Sequence, residues 1–104
     1  MKMALKAAGL VALSGLLATS PVSAFAYTGQ ELASAAKVSL DQARVIALKA
    51  VPGTITDQEL EKERGGSGLR YSFDIKRGAT TYEVGVDAQT GAVLENKAEG
   101  PQPD

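Results

Sequence analysis

The sequence predicts an α+β fold in which an amphipathic helix, preceded by a short helix, packs on one face of a three- to four-stranded antiparallel sheet. Three observations carry this expectation. The run LDQARVIALKAV, residues 40–51, repeats its apolar side chains every three to four positions. LRYSFDIK (69–76) and TTYEVGVD (80–87) alternate with a period of two. Between and after these runs stand Pro52-Gly53, GGSG (65–68) and Thr90-Gly91, residue types that reverse a chain.

Taken in order, Thr28 with Glu31 has the spacing of a capping box, which predicts a short helix over 29–36. Ser39 with Gln42 repeats the spacing and opens the main helix, residues 40–51. Its arc of Leu40, Ala43, Ile46, Ala47, Ala50 and Val51 faces a core, while Asp41, Gln42, Val45 and Lys49 face away. Pro52 and Gly53 end it, because proline restricts the residue before it and cannot extend the hydrogen-bond ladder. In TITDQELEKER, residues 54–64, Ile55 and Leu60 have opposite parity. One regular strand cannot bury both, so the segment reads as an irregular edge strand with a bulge.

GGSG then reads as a flexible hairpin loop. Leu69, Tyr71, Phe73 and Ile75 share one face of the next strand, and Tyr82, Val84 and Val86 one face of the strand after it. These faces coincide only if the loop near Arg77 and Gly78 has an even residue count. A two-residue loop sets Phe73 opposite Tyr82 and Tyr71 opposite Val84. A four-residue loop sets Asp74 opposite Glu83, two like charges, which is the less favourable register. In VDAQTGAVLE, Asp87 is placed to bind the turn backbone, Gly91 to take a left-handed conformation, and one of Val93 and Leu94 to face the core. The polar, proline-containing segment 97–104 is expected to be disordered.

The first 26 residues have a different character. Lys2 and Lys6 precede an apolar stretch from Ala7 to Ala18, followed by Pro21 and the small residues of VSAFA, which is the layout of a secretory signal peptide. The apolar run is shorter than the roughly 20 residues a spanning helix needs. Cleavage is expected after Ala26, with Ala24 the second choice, which makes the product periplasmic or secreted and leaves no membrane anchor. Lys2 and Lys6 leave with the segment and no acid does. The remaining 78 residues then carry 9 basic and 12 acidic side chains, with no basic stripe. That balance argues against nucleic acid or anionic lipid as a partner. The chain has no Cys and no His, so neither a disulfide scaffold nor the commonest general acid or base is present, and no cofactor motif stands out.

SLDQARVIALKAVPG, the strand RYSFDI, then YEVGVD and the turn AQTGAVLE together resemble the PepSY domain over roughly residues 38–95, with 27–37 as a short helix and linker and the domain placed at 38–96. The residues carrying the resemblance are Leu40, Ala43, Ala47, Ala50, Pro52, Gly53, Tyr71, Phe73, Tyr82, Val84, Val86, Asp87, Gly91 and Val93. Packing and turn geometry account for nearly all of them. The resemblance implies a non-catalytic domain, found in propeptides of thermolysin-type secreted metalloproteases and as stand-alone exported proteins, that inhibits or modulates a peptidase. The competing expectation is a structural or ligand- or cation-sequestering module of the envelope with no peptidase link.

No catalytic or metal site is assigned from the sequence. The second sheet face, with Arg70, Ser72, Asp74, Lys76, Thr81 and Glu83, is either plain solvent surface, which its mixed charges favour, or the partner surface for a peptidase or another envelope protein; an exposed strand edge is the other route to a partner. Asp57, Glu59, Glu61 and Glu63 share one parity and raise the question of a divalent cation. Same-face strand neighbours about 6.6 Å apart do not converge on one ion, and a charged edge that discourages sheet aggregation is the simpler reading.

Overall fold

The computed structural model describes residues 26–100, so the signal-peptide expectation for residues 1–26 and the last four residues of the expected disordered tail lie essentially outside it. A 3-10 helix, Gln30–Ala35, leads into α1, Leu40–Ala50. Four strands follow, β1 Thr54–Lys62, β2 Leu69–Arg77, β3 Thr80–Asp87 and β4 Val93–Ala98, paired antiparallel in the order β1-β2-β3-β4. The α+β class and the helix-on-sheet arrangement expected from the sequence are what the chain adopts.

The Ser39–Gln42 capping box forms as the spacing predicts. Ser39 Oγ accepts from the Gln42 amide at 3.1 Å, and Gln42 Oε1 accepts from the Ser39 amide at 2.9 Å. Asp41 in the first turn and Lys49 in the last complement the helix dipole. Ala43, Ala47 and Val51 are fully buried, and Leu40, Ile46 and Ala50 pack at the margin. Because the central contact residues are alanines, the helix lies close on the sheet. Beneath it are Leu60, Leu69, Tyr71, Phe73, Ile75, Val84 and Val86, with the Tyr71 and Phe73 rings stacked at 6.3 Å. The buried Tyr71 hydroxyl donates to the Val38 carbonyl at 2.7 Å, tying the sheet to the chain just before α1. After Pro52, Gly53 is required by close approach: a β-carbon there would collide with the Lys76 carbonyl oxygen.

Several expectations are corrected. The short first helix is present as a 3-10 turn, but its capping position is Gly29 and not Thr28, with no side-chain cap. Thr28 does not cap it, because its backbone is engaged elsewhere, accepting from the Leu60 amide and bridging to Glu59 in parallel. The bulge in β1 does occur, between Ile55 and Asp57. In the β2–β3 hairpin, Phe73 faces Val84, Tyr71 faces Val86 and Asp74 faces Glu83, so the like-charged register rejected from the sequence is the one adopted. The reason is the turn. The two loop residues are Gly78 and Ala79, one position later than expected, and Gly78 at the first of them has φ 64. Tight hairpin turns demand positive φ at that position, and glycine supplies it at no steric cost. Turn geometry and the match of Phe73 and Tyr71 to valines outweigh one carboxylate pair.

The chain end differs as well. β4 runs to Ala98, and the Glu99 amide donates to Thr81, so residues 97–99 are ordered by pairing to β3 instead of lacking structure. A second bulge between Gly85 and Val86 leaves Leu94 as the extra residue. Val93 is 44% exposed and Leu94 half-buried, and neither joins the core. Gly91, at φ 83, takes the left-handed conformation expected of it.

The helix–sheet contact generates a first prediction. Ala47→Leu inserts a side chain where α1 meets the sheet and lowers the unfolding free energy by about 1–3 kcal/mol. Phe73→Ala empties the centre at a cost of about 3–5 kcal/mol. Urea unfolding followed by circular dichroism measures both; a fully stable Ala47→Leu protein would mean that the helix does not pack at this distance.

Candidate functional site: the open face of the sheet

The face of the sheet opposite α1 carries the side chains that alternation turns away from the core. Register places them in rows across the strands. Asp57, Asp74, Glu83 and Lys97 form one row; Glu59, Ser72, Gly85 and Glu95 the next; Glu61, Arg70 and Asp87 the third. Asp57, Glu59, Glu61, Ser72, Asp74, Glu83 and Glu99 line a shallow depression of about 240 Å³. Ser72 Oγ donates to Glu61 Oε2 at 2.7 Å.

Carboxylates this close disfavour one another's charge. Partial burial pushes the Glu59 carboxyl up, with the charges of Glu61 and Asp57 adding to it. Burial raises Asp74 as well, helped by Glu99 and Asp57. Glu83 is raised by burial, Glu95 and Asp74, while Lys97 acts in the opposite direction. Among the described residues no group of three or more Asp or Glu side chains is arranged to hold a metal ion.

Of the six residues expected to form a partner surface, Ser72, Asp74, Thr81 and Glu83 lie half-buried on this face and Lys76 is exposed at its margin. Arg70 is withdrawn from the surface. It is only 8% exposed, with Nη1 at 3.4 Å from Glu95 and 3.8 Å from Glu63, and Nη2 donating to the Arg64 carbonyl at 3.0 Å. Its stem lies flat over Gly85, where a β-carbon would come within 2.9 Å of Arg70 Cδ. With Arg70 neutralised and β1, Glu95 and Glu99 contributing acids, the face is predominantly negative instead of evenly mixed. Sequence reasoning treated the strands separately; the parity match of Asp57, Glu59 and Glu61 was the available signal, and the rows appear only once register is known.

At the end of the sheet nearest the start of α1, Asp87 organises two loops. Oδ1 accepts from the Gln89 amide at 2.8 Å, the Thr90 amide at 3.1 Å and Ser67 Oγ at 2.8 Å, and Oδ2 accepts from the Ser67 amide at 2.7 Å. The expected turn role is therefore present, with an unexpected second half: GGSG is clamped to the turn through Ser67. Burial by itself would raise this carboxyl, but the hydrogen bonds from Gln89, Ser67 and Thr90 favour the charged form and hold it at about 2.

The fold is a small α+β domain, a helix sealed on one side of a sheet whose other side no described element covers. Residues 37–97 match the family described as peptidase propeptide and YPEB domain, PepSY, so the chain belongs to the PepSY family. No curated protein and no solved structure matches it. The match spans the residues that packing and turns account for, from the segment before α1 through β4.

Two opposite pH responses follow from these carboxyls. Acids whose folded pKa is raised bind protons more readily in the fold than in the unfolded chain, so stability increases as pH is lowered from 7 toward about 5. Asp87 acts the other way. Its contribution of about 2 kcal/mol is present above the unfolded value near 3.8 and is lost as pH falls toward about 2. Thermal unfolding across this range should give a maximum in mildly acidic solution. Asp74→Asn should raise the melting temperature at pH 7 but not at pH 4, and a uniform effect at both would contradict the half-buried charge of Asp74 as the cause.

Proposed function

We propose that the chain is a non-catalytic, exported PepSY domain that acts by binding and restrains or modulates a peptidase in the periplasm or cell envelope. The observation that carries this reading is the uncovered, acid-rich sheet face on a domain of the peptidase-propeptide class. Asp57, Asp74 and Glu83 point away from the core, so packing gives no reason for three adjacent acids. A basic surface on a partner would relieve the repulsion that they impose on one another. Export with cleavage after Ala26 is part of the proposal, supported by the charged, apolar and small-residue regions of residues 1–26.

The test is capture from the envelope fraction with the immobilised domain, together with N-terminal sequencing of the chain recovered from the cells that make it. The expected result is a peptidase whose activity falls when the domain is added, with at least about tenfold weaker binding for Glu83→Lys, a charge reversal at the contact. A structural or sequestering module without a peptidase link would retain no peptidase, and an inhibition unaffected by Glu83→Lys would place the contact elsewhere.

A further inference from the structure

The two edges of the sheet are not equivalent. β1 is covered in part by the chain that precedes the 3-10 helix, whose Thr28 carbonyl accepts from the Leu60 amide at 2.8 Å. β4 has no neighbour on its outer side among the described residues. An uncovered edge presents free backbone donors and acceptors, and its side chains decide what can pair there.

The orientation of those groups follows from the ladder. The Glu99 amide donates to Thr81, in the same register that pairs Ala98 with Tyr82 and Lys97 with Glu83. Inward and outward amides alternate along an antiparallel strand. Glu95, Lys97 and Glu99 therefore direct their backbone groups toward β3, and Asn96 and Ala98 direct theirs outward.

We infer that this edge pairs with the β4 edge of a second copy of the chain, antiparallel about a twofold axis at Asn96, giving a continuous eight-stranded sheet. The sequence of the strand is self-complementary in that register. Asn96 meets Asn96 of the second copy through its outward N–H and C=O, Leu94 lies opposite Ala98, and Glu95 lies opposite Lys97 on the open face. By symmetry the Glu95–Lys97 pair occurs twice. Lys97 is free to make it, since its side chain is 68% exposed and only 3.9 Å-coupled to Glu95 of its own strand. Moving the axis by one residue either way sets Glu95 against Glu95 or Lys97 against Lys97, two like charges directly opposed. The bulge at Leu94 limits the ladder to a short stretch, so the dimer is reversible, with single pairs deciding its strength.

Sedimentation of the chain as recovered from the cells that make it should show a concentration-dependent monomer–dimer equilibrium. Asn96→Pro removes the central outward N–H without removing a bond to β3, and it should give a monomer. Lys97→Glu turns both attractive pairs into repulsive ones and should weaken the dimer about tenfold or more. The chain has no Cys, so Asn96→Cys provides a register test: on oxidation it should form a covalent dimer faster than Ala98→Cys. Circular dichroism establishes that each variant is folded, and should Asn96→Pro misfold, Lys97→Glu and the cysteine pair still decide. A wild-type chain that stays monomeric at high concentration overturns the inference, as does a dimer that survives both Asn96→Pro and Lys97→Glu.

Discussion

The structure depends on the close contact between α1 and the sheet, made with almost no side chain in between. Ala43 and Ala47 have no exposed surface, and the large side chains of the core come from the strands: Tyr71, Phe73, Ile75 and Leu60. This division lets an 11-residue helix cover enough of a four-stranded sheet to bury the apolar side of β2 and β3. In a domain of this size one core supplies only a few kcal/mol, so little of the contact is dispensable. It also decides which side of the sheet stays open, because the helix occupies one face and nothing described occupies the other.

Beside that contact the hydrogen bonds tie the chain at the start of α1 to the strands. Lys37 and Val38 both donate to the Ala88 carbonyl, Ala88 donates to Leu69, and Tyr71 donates to Val38. Asp87, beside Ala88, holds the turn and the GGSG loop. The buried carboxylate thus replaces what a disulfide does in many small exported domains, linking two loops far apart in sequence. Its charge is accommodated by donors on every side, which is why it remains ionised where burial alone would have neutralised it.

Much of the fold was legible in the sequence because it rests on local periodicity. The capping box at Ser39, the helix end at Pro52, the bulge in β1 and the inward set of β2 and β3 all follow from patterns within a few residues. What escaped depends on pairing between segments. The hairpin slipped by one turn position because a single glycine, Gly78, outweighs a repulsive carboxylate pair, and no window of sequence compares those two energies. The 97–99 segment looked unstructured by composition, yet β3 offers it a strand to pair with. Arg70 read as a surface residue from its alternation, but Gly85 across the ladder leaves room for its stem to lie down, and Glu63 and Glu95 then enclose its head group. For the same reason the acid-rich depression was only half visible: three of its residues, Asp57, Glu59 and Glu61, were noted on one strand, and how β2, β3 and Glu99 join them required the register.

The register also bears on why the acids are there. Side chains on the open face make no contribution to the core, so the helix, the strands and both bulges would form equally well with neutral polar residues at positions 57, 74 and 83. Each of the two adjacent pairs in that row, Asp57 with Asp74 and Asp74 with Glu83, is destabilising on its own. The one cation in the row is Lys97, at its far end beside Glu83, while Arg70 is already committed to Glu63 and Glu95. The fold therefore tolerates a local loss of stability that its own packing neither needs nor offsets. The unfavourable arrangement is confined to the face that stays open, so it weakens the domain without disturbing the core that holds it together.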